Sequence, residues 1–245
     1  MGQISALLLF GVVGYVGFLR QGRPYLAGCC GALTAIKPHL FCLFAILLLL
    51  EATCSKAGRK VLLGGALSLL VCGLIPLLWN PAVWSQYRAA TKRPPSEIHV
   101  TVEQWHQPTL GYLLREQIPG NPFWLQFVPL VLACTLVPEY WYWRRAKWDW
   151  VEELPWLMLA CALTACYGAW ACDLVVLLPA VLVGAVRLTT AKRPVIIAAI
   201  VGYAGFNLIM LRTVNEPLSQ DNRWLAPLTF LGYVVVVFFT RKQRV

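Results

Sequence analysis

The sequence predicts an all-α polytopic membrane protein, because it is strongly apolar, poor in charge and built from long apolar runs. Of its 245 residues, 59% are hydrophobic and 13% are charged, whereas a soluble globular chain carries about 25% charged residues. A run of about 20 apolar residues can cross the hydrocarbon core as a helix, which satisfies its own backbone hydrogen bonds there. The runs do not alternate as barrel strands would. We therefore expect a single transmembrane domain over residues 1–245.

Seven apolar runs predict full spans, and the basic residues between them predict the topology. The net charge is +10, and its placement between the runs indicates orientation rather than nucleic-acid binding, so no nucleic-acid partner is expected. The basic C-terminus predicts a cytoplasmic end of a multi-pass plasma-membrane protein, and counting backwards places segment 79–121 outside. The predicted spans are 3–19, 60–78, 122–143, 154–170, 174–188, 194–211 and 225–240.

The apolar run 25–50 is predicted to be a re-entrant hairpin of two short helices. Arg20 and Arg23, which precede it, also favour the cytoplasmic side, and a single crossing would place them outside. The middle of the run reads Lys37-Pro38-His39. Proline disfavours helix for the residue before it, and a lysine in an apolar run is costly unless it faces protein or water. The alternative is one tilted, kinked helix whose Lys37 reaches the interface.

The long segment 79–121 is predicted to be an external loop that lies on the membrane surface. It retains aromatic residues such as Trp84 and Tyr112, which favour the interface. It also carries four basic residues, which favour either an anionic headgroup or phosphate ligand or an ordinary solvated loop. These are Arg88, Lys92, Arg93 and Arg115.

Lys37 and Asp173 are the most specific candidates for chemistry. A cation at the tip of the hairpin can bind the phosphate of a lipid carrier, and the alternative is a structural lysine paired with a carbonyl or carboxylate. Asp173 lies between two predicted spans on the outer side and suits a general base, an acceptor for a sugar hydroxyl or a partner for Lys37. The alternative is an N-cap for the apolar helix that begins at Leu174.

Three polar residues of the outer loop form a second group of candidates. His99, Glu103 and His106 would share one face of a helix, as a metal site requires. The intervening residues 100–102 are Val, Thr and Val, which favour a strand. We therefore expect these side chains to line an external cavity that binds substrate, and we expect no metal and no cofactor.

Two segments and a short stretch between them carry a family resemblance. The first is Arg20-Gln-Gly-Arg-Pro-Tyr-Leu-Ala-Gly28, continuing as Ala32-Leu-Thr-Ala-Ile-Lys37-Pro38-His39-Leu40. The second is Tyr167-Gly-Ala-Trp-Ala-Cys-Asp173-Leu-Val-Val-Leu-Leu-Pro179, and Gln107-Pro-Thr-Leu110 lies between them. Over about residues 15–185 the chain resembles the family 87 glycosyltransferases, which are membrane enzymes of the GT-C type.

The resemblance implies a GT-C-like bundle of about seven full spans plus the short-helix hairpin around Lys37-Pro38. It implies a hexosyltransferase that moves a sugar from a polyprenyl-phosphate donor to a lipid or polysaccharide acceptor at the external membrane face. Carried over, Lys37 would bind the donor phosphate and Asp173 would line the site, and we take Asp173 as the candidate catalytic residue. We expect His39 and the outer-loop residues His99, Glu103 and His106 to contribute to the substrate site, with membrane lipids around the bundle.

The sequence departs from the family pattern at the catalytic acid, which leaves open whether this chain is active by itself. Enzymes of the GT-C type usually place a catalytic acid in the first external loop, and no residue here matches that position. The chain is then a copy shortened at its N-terminus, or a partner subunit supplies the missing N-terminal spans, or it is inactive. The competing class is a non-catalytic membrane subunit or a lipid or sugar transporter, although a transporter commonly shows internal repeats and none is visible.

Overall fold

The computed structural model describes residues 4–91, 109–167, 171–214 and 225–241, and these ranges are helical with no strand. The predicted all-α class is confirmed. The described ranges contain eleven α-helices: α1 Ser5–Arg20, α2 Pro24–Gly31, α3 Cys42–Cys54, α4 Lys56–Leu74, α5 Val83–Thr91, α6 Leu110–Glu116, α7 Val128–Arg144, α8 Trp150–Thr164, α9 Leu178–Thr189, α10 Arg193–Val214 and α11 Leu225–Arg241. Shorter 3₁₀ segments are Ala32–Ile36, Ile75–Leu78, Phe123–Phe127, Arg145–Lys147 and Ala171–Leu177.

Every predicted span overlaps helix among the described residues, although some boundaries differ. The predicted span 154–170 is α8, which begins earlier, at Trp150, because the Asp149 side chain accepts a hydrogen bond from the Val151 N–H at 2.8 Å and caps the helix. Helix α8 ends at Thr164, because the next residue, Ala165, has a non-helical ψ of 126°. The count of seven full spans stays a prediction.

Two helical stretches are long and apolar enough to cross a membrane by length and composition. These are Lys56–Leu78 and Phe123–Lys147, and only 11% and 22% of their most apolar windows are buried within the protein. A core helix of a soluble protein would be mostly buried, so these exposed apolar surfaces fit a lipid environment. Five shorter apolar helices accompany them among the described residues.

The apolar run 25–50 is interrupted in the middle. Helix α2 continues as the 3₁₀ segment Ala32–Ile36, helical structure stops at Lys37, and α3 begins at Cys42. Pro38 lies in this break, as expected from its restriction of the preceding residue. The run is therefore two helices rather than one continuous helix, and its re-entrant placement stays a prediction.

The chain groups into two compact units. The N-terminal unit contains the described residues of Ala6–Pro38 and Ala45–Trp105, and the C-terminal unit those of Met1–Ser5, His39–Phe44 and His106–Val245. In the N-terminal unit α2 packs closely on α4. The helices are so close at Gly28 that any side chain there would overlap the Val61 carbonyl oxygen. Small residues allow such close approach between membrane helices.

Helix α8 is the centre of the C-terminal unit. It contacts α6, α7, α9 and α11, and most of its side chains are buried. Its residues Leu159 and Ala162 form a core with Leu177, Ala180 and Tyr233. Helix α8 follows α7 after a short connection, residues 145–149, and packs against it. The two helices are therefore antiparallel, so the start of α7 lies beside the end of α8.

The C-terminal unit has two ends, the motif end and the cavity end. The motif end contains His39, Arg115, Gln126, Tyr167 and Asp173, where α7 begins and α8 ends. The cavity end contains Tyr140, Arg144, Glu153, Arg187 and Thr240, where α7, α9 and α11 end and α8 begins. Helix α7 has 17 residues, so about 25 Å separates the two ends.

Candidate functional site

The motif end is organised around the ring of Tyr167. His39 meets this ring edge-on, with 6.4 Å between the ring centroids. Phe127 and Phe123, from the segment that leads into α7, have centroids 5.4 and 6.5 Å from that of Tyr167. Edge-to-face packing at these separations is favourable. His39 and Tyr167 belong to the two sequence motifs, and these two side chains are in contact within the C-terminal unit.

A buried arginine lies beside the aromatic cluster. Arg115 of α6 is only 1% exposed, and its Nη1 donates a hydrogen bond to Gln126 Oε1 at 2.8 Å. Its guanidinium carbon lies 5.3 Å from the Tyr112 ring centroid and 5.7 Å from that of Phe123. A buried charge requires such hydrogen bonds and aromatic contacts to offset its loss of hydration.

Gln126 links Arg115 to the second motif through two hydrogen bonds. Its side-chain amide donates a hydrogen bond to the backbone carbonyl of Cys166, the residue before Tyr167. Both side chains are almost fully buried. The chain Arg115–Gln126–Cys166 therefore holds the start of the Tyr167–Asp173 segment against the segment 123–127.

The local sequence explains how Arg115 reaches this position. Thr109 caps α6 by accepting a hydrogen bond from the Tyr112 N–H at 3.3 Å. Gly111 lies so close to the Gln126 backbone that a side chain there would overlap the Gln126 carbonyl oxygen. Gly120 and Asn121, with φ values of 83° and 46°, turn the chain back toward residues 123–127. Glycine and asparagine tolerate this left-handed region best.

Asp173 is fully buried and accepts a hydrogen bond from the Ser5 hydroxyl, with 2.7 Å between the oxygens. The helical segment around it begins at Ala171, so Asp173 is its third residue. The 3₁₀ turn therefore starts earlier than the apolar pattern indicates, and the roles of Asp173 as a catalytic residue or as a cap both stay predictions. The Ser5 contact ties the N-terminus of α1 to the second motif.

Lys37 belongs to the N-terminal unit. It follows the 3₁₀ segment Ala32–Ile36, its N–H donates to the Thr34 carbonyl at 3.2 Å, and its side chain is half-buried. This places it at the break between α2 and α3, where the sequence predicts the tip of a hairpin. Its predicted role in phosphate binding stays a prediction.

The outer-loop candidates His99, Glu103 and His106 lie outside the described residues, and their predicted role in lining a cavity stays a prediction. Within the described ranges, no three His, Cys, Asp or Glu side chains are grouped as a metal site requires.

Sequence reasoning missed three residues of the motif end. The sequence places Arg115 in a basic loop that is either solvated or binds an anion. The burial of Arg115 contradicts the solvated alternative for this residue. Gln126 and Ser5 carry no sequence signal, because a single polar residue at the edge of an apolar run does not reveal its distant partner. The only available signal for Arg115 was its spacing of three from Tyr112 on one helix face.

The length and composition of the exposed apolar helices indicate a helical membrane protein. The family model of glycosyltransferase family 87 matches residues 1–213 of the 245. The chain therefore belongs to glycosyltransferase family 87, and the resemblance seen in its two motifs is confirmed. A search of curated proteins and a search of solved structures found no match. Family membership implies glycosyltransferase activity, with a sugar donor and an acceptor.

Proposed function

We propose that the protein is a membrane hexosyltransferase that moves a sugar from a polyprenyl-phosphate donor to a lipid or polysaccharide acceptor. The family match over residues 1–213 carries this proposal. The contact between His39 and Tyr167 supports it, because each of the two segments that resemble the family contributes one of these rings. The proposed enzyme is a GT-C-like bundle of about seven spans plus the hairpin, in the plasma membrane.

The proposed reaction takes place at the external membrane face. The basic loops and C-terminus predict that α7, α9 and α11 end in the cytoplasm. The motif end is the opposite end of the same helices and includes Thr109 and Arg115 from the predicted external segment 79–121. This arrangement supports a site that opens to the outside.

The proposed chemistry is a displacement at the sugar's anomeric carbon. The acceptor hydroxyl oxygen forms the new bond, the bond from the anomeric carbon to the phosphate oxygen breaks, and polyprenyl phosphate leaves with the electron pair. A base takes the hydroxyl proton. The Lys37 ammonium would stabilise the charge that develops on the leaving phosphate, and His39 would contribute a hydrogen bond to the donor.

Asp173 is our proposed proton acceptor, and a positioning role competes with it. A base must reach the acceptor hydroxyl, whereas Asp173 has no exposed surface and accepts from Ser5. The two roles differ in the rate profile of Asp173→Asn. Loss of a base removes the rise of kcat/KM with pH, whereas loss of a positioning residue lowers kcat/KM equally at every pH.

Sugar transfer from radiolabelled polyprenyl-phosphate hexoses, in membranes that contain the full chain, tests the proposal. We expect transfer by the native protein, and a loss of about 100-fold in kcat/KM for Lys37→Met, because an electrostatic contact to a developing charge is worth that much. The matched control is Lys56→Met, an exposed lysine at the start of α4. Lipid or sugar flipping without any transfer would contradict the enzyme and favour the transporter class.

A further inference from the structure

A cavity of about 790 Å³ lies at the cavity end of the C-terminal unit. Side chains from α7, α8, α9 and α11 line it, and they include Arg144, Glu152, Glu153, Trp156 and Arg187. The length of α7 places it about 25 Å from the motif end. It is therefore separate from the site proposed for sugar transfer.

One of the two cavity arginines is already paired. Arg144 Nη2 lies 3.1 Å from Glu153 Oε1, and the Tyr140 hydroxyl donates to Glu153 Oε2 at 3.1 Å. Glu153 is buried, so these two donors offset its charge. An anionic ligand in the cavity would thus meet little repulsion from Glu153.

Two polar groups beside the cavity have no hydrogen-bond partner among the described residues. These are the Arg187 Nε and the hydroxyl of Tyr233, both buried. Tyr233 is 5% exposed, and its ring packs on the cavity residue Trp156 with 4.8 Å between centroids. Since a guanidinium only donates hydrogen bonds, the group that completes Arg187 must be an acceptor.

The other residues that line the cavity indicate an amphiphilic ligand with one positive and one negative group. Glu152 lines the cavity and is exposed, and with Arg144, Glu153 and Arg187 it makes the formal charge of the cavity zero. An electroneutral site with separate charges matches a zwitterion better than an anion. Val186, which also lines the cavity, is 69% exposed and offers apolar surface at the rim.

We propose that this cavity binds the phosphoethanolamine headgroup of a membrane phospholipid. The phosphate accepts hydrogen bonds from Arg187, whose planar fork matches phosphate oxygens. The ammonium group faces Glu152, and the acyl chains leave past Val186. Basic side chains between membrane helices bind lipid phosphates on the cytoplasmic side, and Arg187 lies at the end of the unit that is predicted to face the cytoplasm.

Native mass spectrometry of the purified full chain, titrated with short-chain phosphatidylethanolamine, tests the proposal. We expect one saturable lipid, bound about tenfold more weakly by Arg187→Gln because the charge-assisted fork is lost. The matched control is Lys192→Gln, a nearby cation that does not line the cavity. Arg187→Lys, which keeps the charge, should bind with intermediate affinity. Equal thermal unfolding temperatures for the variants establish that each is folded.

Two further arms identify the ligand. Phosphatidylglycerol should bind more weakly than phosphatidylethanolamine, and Glu152→Gln should remove that preference, because its carboxylate is the proposed partner of the ammonium. Inorganic phosphate that displaces the lipid at equal concentration would overturn the lipid assignment in favour of the free anion. Equal lipid affinities of Arg187→Gln and Lys192→Gln would overturn the site. Sugar transfer does not enter these readouts, so the proposal stands or fails separately from the glycosyltransferase activity.

Discussion

The two ends of the C-terminal unit each hold an arginine hydrogen-bonded to a side chain of a later helical segment, yet the two arginines differ in burial. Arg115 donates to Gln126 at 2.8 Å and is 1% exposed. Arg144 donates to Glu153 at 3.1 Å, and its side chain is 46% exposed. Water competes for the exposed arginine, whereas the buried one depends on its protein partners. The hydrogen bond of the buried Arg115 should therefore contribute more to the free energy of unfolding than that of the exposed Arg144.

Arg115→Met should produce the largest effect in this comparison. The substitution leaves the buried Gln126 Oε1 without this donor in a site shaped for a guanidinium, and a buried group that loses its partner costs up to about 3 kcal/mol in the free energy of unfolding. Because Gln126 also holds the Cys166 carbonyl, sugar transfer should fall as well. Thermal unfolding in detergent micelles measures the first effect, and the radiolabelled transfer assay measures the second.

Arg144→Gln is the matched control from the other end. It removes an exposed donor from Glu153, which keeps the hydrogen bonds from Tyr140. Its unfolding temperature should stay far closer to the native value than that of Arg115→Met. Equal losses from the two variants would refute the claim that burial sets their energetic weight.

Gly111→Ala should have the next largest effect, because the new methyl group overlaps the Gln126 carbonyl oxygen at the motif end. Overpacking of this kind costs about 2 kcal/mol. A methyl group at Gly202 in α10 would instead meet open space, so Gly202→Ala should stabilise the protein by up to about 1 kcal/mol. Chemical unfolding of both variants checks the pair, and a stabilising Gly111→Ala would show that α6 does not pack closely on residue 126.

Ser5→Ala should have the smallest effect of the three. It removes one donor to the buried carboxylate of Asp173, and a buried group that loses a hydrogen-bond partner costs about 1 kcal/mol. Ser85→Ala is the control, because the exposed Ser85 hydroxyl donates to the Ala82 carbonyl, three residues before it in the chain. We expect a lower unfolding temperature for Ser5→Ala alone, and identical temperatures would exclude a stabilising role of the Ser5–Asp173 contact.

The helical class and the positions of the helices were accessible from the sequence because both depend on local properties. Apolar runs of sufficient length predict helices in lipid, and Pro38 marked the break that separates α2 from α3. The boundaries that moved did so at local caps and turns: Asp149 started α8 early, and the 3₁₀ turn from Ala171 placed Asp173 inside a helical segment. These details depend on backbone geometry that hydropathy does not record.

The sequence by itself determined that this is an all-α protein with apolar helices and that its two motifs mark glycosyltransferase family 87. Only the tertiary structure decided which polar residues are buried and what they contact: Tyr167 against His39, Arg115 through Gln126 to Cys166, and Ser5 on Asp173. The physical reason is the range of the interactions. A helix forms hydrogen bonds within a few residues of the same chain segment, whereas a buried side chain finds its partner only when distant segments pack together.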